Sequence, residues 1–220
     1  MINISISEEI KSVCPNFAGV AIYAKVKNTQ YNADLWNQID KFTIEYKNIH
    51  QIEDIKKNKA IAATREVYKR LGKDPNRYRP SSEALCRRIL RDLPLYQIDT
   101  LVDLINLVSL HTGYSIGGFD ADKILGDTLI LGVGKDGEPY EAIGRGIMNI
   151  EGLPVYRDTK GGIGTPTSDH ERTKIGLDTT SLLTIINGYS GKDDLGEAVT
   201  YMQSLLRDYA ESDGGEVVYF

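Results

Sequence analysis

Arg79-Pro80-Ser81-Ser82-Glu83-Ala84-Leu85-Cys86-Arg87-Arg88-Ile89-Leu90, followed after a short break by Leu101-Val102-Asp103-Leu104-Ile105-Asn106, is the stretch whose reading decides the fold. Ser81 or Ser82 supplies an N-cap oxygen directly after Pro80, and the helix so begun runs to about Arg91. Leu85, Ile89 and Leu90 fall on its inner side; Arg87, Arg88 and Arg91 are among its outward charges, and Pro94 ends it. Asp99 and Thr100 offer a cap for a second helix, Leu101 to about His111, whose apolar face is Leu101, Leu104, Ile105 and Val108. Asp103 and Asn106, three residues apart, lie on nearly one side of it. Polar groups so near an apolar face are either buried and satisfied by neighbouring backbone or line a pocket. After Gly113 a short strand, Tyr114 to Phe119, carries Gly117-Gly118, a pair that forms a bulge or lets another group approach the backbone closely.

Upstream, Ile2 to Ser7 alternates like a short strand, and Ser7 with Glu8-Glu9 caps a short helix ending before Pro15. Ala18 to Val26 reads as a buried strand. Leu35, Trp36, Ile39, Phe42 and Tyr46 recur at helical spacing from about Asn32, which makes Trp36 a packing residue. Lys59 to Leu71 is a further helix stopped by Gly72, and the segment from Lys73 to Pro80 is a loop. Downstream, strands are expected at Thr128 to Val133, Tyr140 to Ile143, Leu153 to Tyr156 and Ser181 to Asn187, with a turn at Lys135-Asp136-Gly137. An amphipathic helix, Leu195 to Tyr209, and an edge strand, Val217 to Phe220, close the chain. Helices and strands intermix without a regular βαβ rhythm, so the fold class is α+β: a compact layered sandwich of mixed sheets and helices.

The 220 residues carry 41% hydrophobic and 26% charged side chains, an ordinary globular composition long enough for one substantial core. No apolar run approaches the ~20 residues that span a bilayer, and the N-terminus lacks a basic region followed by an apolar one, so a cytoplasmic protein with no membrane partner is expected. Cys14 and Cys86, far apart and without ligand spacing, read as two reduced thiols. The net charge of −5 is unevenly spread: lysines and arginines dominate Lys56 to Arg91, and acids dominate the tail. A basic stripe on an acidic body either binds a polyanion locally or is solvated and paired with acidic neighbours. No metal is expected, because His50, His111 and His170 are scattered, and no cofactor signature stands out. Gly161-Gly162-Ile163-Gly164 lacks the Lys-Ser/Thr of a phosphate loop and reads as mobile. Thr165-Pro166-Thr167-Ser168-Asp169-His170-Glu171-Arg172-Thr173 is the densest run of chemically capable side chains. On an extended segment Asp169 and Glu171 would share one face, His170 and Arg172 the other.

Taken together, Arg79 to Leu85, Leu101 to Asn106, Gly117-Gly118-Phe119-Asp120 and His170-Glu171-Arg172-Thr173 resemble a free-standing B3/B4 domain, otherwise found inside the β subunit of bacterial phenylalanyl-tRNA synthetase. The resemblance implies one domain over residues 1–220, with its core at about 17–188 and the helix at 195–209 packed on it. In the synthetase this domain hydrolyses tyrosine wrongly attached to the phenylalanine tRNA. The family's helix carries a Thr-Asn pair: Asn106 is retained, and Ile105 stands at the Thr position. The family's histidine falls at Gly117, and its glutamate matches Glu171. The resemblance thus points to Asn106, the Gly117 and Gly118 backbone and Glu171 as a hydrolytic set. Ser82, Asp103, Thr165, Asp169 and His170 would lie around the substrate, and Arg79, Arg87, Arg88 and Arg91 would hold RNA. The implied partners are tRNA or aminoacyl-tRNA, or an amino-acid-like small molecule. The implied function is a trans-acting aminoacyl-tRNA editing deacylase. The alternative is a non-catalytic module that binds tRNA or such a small molecule, because Gly117 and Ile105 remove two of the family's side chains.

Overall fold

The structure, a computed structural model, describes residues 2–220. In chain order its elements are β1 (Asn3–Ile6), α1 (Glu8–Val13), β2 (Ala18–Lys25), α2 (Ala33–Ile49), α3 (Lys59–Arg70), α4 (Ser81–Ile89), α5 (Thr100–Thr112), β3 (Ile116–Asp120) and β4 (Thr128–Val133). There follow β5 (Glu141–Ala142), β6 (Gly146–Ile147), β7 (Pro154–Arg157), β8 (Gly162–Gly164), β9 (Ser181–Gly188), α6 (Leu195–Tyr209) and β10 (Glu216–Tyr219), with short 3-10 turns at Ile52–Lys57, Ala121–Lys123 and Glu171–Thr173. One sheet has the order β1-β4-β7-β8, a second β10-β2-β9-β3, and β5 and β6 form a small hairpin. The mixed α+β class expected from the sequence is the one observed.

The layering follows from strand alternation. Successive side chains of a strand leave on opposite faces. On β2, Val20 and Ile22 therefore face one core and Ala21 the other. The first core lies between the second sheet and the helices, with Leu101, Leu104, Leu107 and Val108 of α5 packed against Val20, Ile22, Leu182 and Ile186 and against α6. The second core fills the space between the two sheets, where Ala21, Phe119, Leu183 and Ile185 meet Leu129, Leu131, Tyr156 and Ile163. A strand covered on both faces reads as an unbroken apolar run, which is why β9 is buried along its whole length. At about 1.5–3 kcal/mol for each fully buried large apolar side chain, α5 is the most strongly held helix contacting the site described below. Asp99 caps it, accepting from the Val102 N–H at 2.9 Å. Gly113 (φ 83°) closes it where a Cβ would collide with the Asn58 side chain.

Three expectations need correction. The glycine run after Asp158 is not a mobile loop: Gly162–Gly164 is buried strand β8. Its glycines are required because the Phe119 ring and the Asp169 carboxylate occupy the place of a Gly164 Cβ, and the Tyr140 ring crowds that of Gly162. The strand expected at Tyr140 to Ile143 shrinks to β5, with a partner, β6, that the sequence did not signal. The strand after Gly113 begins two residues later, at Ile116, and includes Asp120.

Candidate functional site

α4 begins with its Ser81 N–H donating to the Pro166 carbonyl at 2.8 Å, so the helix start is fastened to the Thr165–Asp169 loop. Between α4, the 92–98 segment, Asn106 of α5, Thr167 and the β5–β6 hairpin lies a cleft of about 420 Å³. Six arginines line it: Arg77, Arg79, Arg87, Arg88, Arg91 and Arg145. No carboxylate and no histidine lines it. Two of the six are fixed by the fold. Arg87 donates from Nε to Glu83 Oε1 at 2.8 Å. Arg88 donates from Nε to the Pro94 carbonyl and packs over the Tyr96 ring, its guanidinium carbon 3.8 Å from the centroid. Arg77, Arg79, Arg91 and Arg145 are exposed and, among the described residues, make no ion pair. Elsewhere the basic stripe is neutralised locally: Lys57 pairs with Asp54, Lys69 and Arg70 with Glu66, and Lys59 with Asp194. A larger depression of about 690 Å³, between α3, α5 and α6, holds Lys59 against Asp194 and Glu197 and has no charge of one sign.

The expected site residues separate into two groups. Asn106, Arg79, Arg87, Arg88 and Arg91 meet in the cleft. Asn106 is partly exposed, and its amide has no hydrogen-bond partner within the described protein. Glu171 is elsewhere. It lines a shallow hollow with Pro139, Lys160 and Arg172, pairs with Lys174 at 2.5 Å, and accepts a long 3.4 Å contact from the Gly144 N–H. Asn106 and Glu171 do not face each other across one pocket. The expected alternation along Asp169 to Arg172 fails because residues 171–173 turn as a 3-10 helix, capped by His170 Nδ1 accepting from the Arg172 N–H at 2.9 Å. Asp169 points inward, Glu171 outward, and Arg172 closes on Asp158 at 2.9 Å.

Asp169 supplies a second correction. Its Oδ2 accepts from the Gly118 N–H at 3.1 Å, on the free edge of β3. In an antiparallel ladder alternate residues turn their backbone groups to opposite sides, so the Gly117 amide is directed to β9. Neither amide is available as an oxyanion donor. Burial pushes the Asp169 carboxyl up to about 7, against the lowering effect of the Gly118 hydrogen bond. Burial likewise raises Asp103 to about 6. Asp103 is fully engaged, accepting from the Ile98 N–H at 3.1 Å and from Trp36 Nε1 at 2.8 Å. Trp36 is therefore a packing residue with one directed hydrogen bond. Ser82 is buried against Ser115, 3.2 Å between hydroxyls. Thr165 Oγ1 accepts from the Thr167 and Ser168 N–H groups, shaping the loop. Burial lowers His170, whose ring stands edge-on to Tyr140. Asp103, Ser82, Thr165 and Asp169 are thus engaged within the fold beside the cleft, and His170 lines the hollow that holds Glu171. Reading the sequence alone missed Arg145 and Tyr96, which come from a hairpin turn and an irregular segment that have no periodicity to announce them.

The B3/4 domain pattern matches residues 63–204. The chain belongs to the B3/4 domain family. Every residue of the cleft falls within the matched span of this B3/4 domain. The structure is also similar to the crystal structure of an N-terminal fragment of the phenylalanyl-tRNA synthetase β-subunit from Pyrococcus horikoshii, with a TM-score of 0.51 and 16% sequence identity. The match covers 98% of this chain and 50% of that one, so this chain spans half the length of the fragment it matches. At such identity the likeness is one of fold. No curated protein matches the chain in sequence. No helix is long and apolar enough to cross a membrane among the described residues.

Proposed function

We propose that this B3/4 domain binds RNA of the tRNA type in the arginine cleft. The observation that carries this reading is the charge of the cleft: six guanidiniums, only Arg87 of them in an ion pair, and no acid among the lining residues. Arginines concentrated without counter-charges repel one another unless an anion joins them, and the planar guanidinium fork suits phosphate. A synthetase-related fold agrees with a tRNA ligand.

Editing hydrolysis of a mischarged aminoacyl ester is the second reading, favoured by the unpartnered Asn106 amide inside the cleft. With no carboxylate or imidazole there, the protein would position a water beside an ester already activated by the neighbouring ribose hydroxyl, rather than supply a general base.

Binding of unmodified tRNA measured against salt tests the first reading. Four free arginines on phosphates give a slope of log affinity on log salt of about −3. The triple variant Arg79→Glu/Arg91→Glu/Arg145→Glu, all at exposed positions, removes most of the affinity and the slope. Affinity unchanged by salt, or by the triple reversal, overturns it. A deacylation panel of mischarged tRNAs tests the second; hydrolysis at the uncatalysed rate on every one leaves a binding module.

A further inference from the structure

We propose that the cleft takes an unpaired end of RNA and stacks one nucleobase on Tyr96, an inference that rests on the RNA-binding reading above. Tyr96 is 63% exposed, the most exposed aromatic side chain among the described residues, and it stands in the wall of the one cleft that arginines dominate. Its ring is not loose. The Arg88 guanidinium lies 3.8 Å from the ring centroid, and Arg88 Nη1 donates to the Tyr96 hydroxyl at 3.1 Å. The same guanidinium is tied to the Pro94 carbonyl. A cation thus covers the ring and holds it in one orientation, so a base added to this stack meets a surface whose rotamer is already set.

Two further features fit a base and its backbone. Asn106, whose amide offers both donors and an acceptor, lines the cleft and also the narrow void where Tyr96 approaches α5. It is placed to read the edge of a base that lies on Tyr96. Arg79, Arg91 and Arg145 around the same space supply unpaired positive charge for the flanking phosphates. In a duplex the faces of the bases are covered by their neighbours, so an aromatic platform selects single-stranded segments and ends. A plain phosphate site would need the arginines but not a held, exposed ring.

The test uses the full chain and three fluorescent ligands: a short unpaired oligoribonucleotide, an abasic strand of equal length, and a blunt duplex. Tyr96→Leu is expected to weaken binding of the unpaired strand about tenfold or more. Tyr96→Phe, which keeps the ring, recovers most of that loss. The abasic strand binds more weakly than the intact one and does not respond to Tyr96→Leu, a contrast that a merely structural role for the ring would not produce. Equal affinity of wild type and Tyr96→Leu for the unpaired strand overturns the stacking inference while RNA binding stands. So does a loss that Phe does not recover, a loss that extends equally to the abasic strand, or a duplex bound as tightly as the unpaired strand. Failure of wild-type protein to bind the unpaired strand while it binds tRNA overturns the stacking inference alone; failure to bind tRNA as well overturns both.

Discussion

Replacing Glu83 by Ala is expected to destabilise the fold by about 3–5 kcal/mol, a large part of what a domain of this size possesses. Glu83 is fully buried, with Oε2 2.7 Å from Arg65 Nη1 and Oε1 2.8 Å from Arg87 Nε. Arg65 is itself buried and spends its other donors on the Pro75 carbonyl and Asn76 Oδ1. Removing the carboxylate leaves two guanidiniums facing each other with no counter-charge, one of them out of reach of water. The energy lies in that uncompensated charge rather than in the attraction of the pair, because forming a buried pair costs nearly as much desolvation as it returns. Urea unfolding of Glu83→Ala measures the effect; a loss below about 1 kcal/mol would mean that water reaches Arg65 and that the triad is solvated. The same contact bears on function, since Glu83 fixes Arg87 in the cleft wall and joins α4 to α3.

The second large effect is a pH dependence centred on Asp169. Its carboxyl titrates at about 7 in the folded protein, because burial disfavours the charged form more than the Gly118 hydrogen bond supports it. In the unfolded chain it titrates near the ordinary carboxylate value of about 3.9. Between those two values the folded state holds the proton and the unfolded state does not, so the contribution of Asp169 to stability is greatest below about pH 4 and falls as pH rises to about 7. The full difference corresponds to roughly 4 kcal/mol, and water reaching this partly exposed residue reduces it to about 2 kcal/mol. Asp169→Asn keeps an acceptor for the Gly118 N–H and never ionises. At about pH 8 it should be the more stable protein by about 2 kcal/mol, with the two converging near pH 4. Asp103, also raised by burial, titrates in both proteins and cancels in the comparison. Parallel stability curves for wild type and Asp169→Asn from pH 4 to 8 would show that Asp169 is ionised without penalty.

Local patterns were enough for the helices. The caps at Ser7 and Asp99 and the apolar spacing of α2, α3, α5 and α6 are properties of neighbouring residues, and the structure keeps those elements within a few positions of where the sequence put them. The serine cap expected for α4 is absent, since Ser81 is already its first residue and Pro80 stands at the cap without a side-chain bond. The apolar runs of β2 and β9 likewise announce strands covered on both faces. The glycines of β8 were misread for a physical reason. A glycine whose absent side chain leaves room for another group looks in sequence like one that confers mobility, and here the occupants, Phe119 and the Asp169 carboxylate, come from distant or turning segments.

The sequence by itself determined the α+β class, the core-facing sides of the helices, the concentration of arginine around α4 and the resemblance that led to the B3/4 family, because each is carried by spacing along one stretch of chain. Tertiary structure alone decided which charges are free. Ion pairing removes Arg65 from the stripe and fixes Arg87 at the cleft wall, and the folding of the chain brings Arg145 in from a hairpin some sixty residues beyond. It also decided that Asp169, rather than Glu171, turns inward, since a single 3-10 turn begun by His170 breaks the alternation that an extended segment would keep. Pairing and side-chain direction depend on which segments fold against each other, and spacing along the chain does not record that.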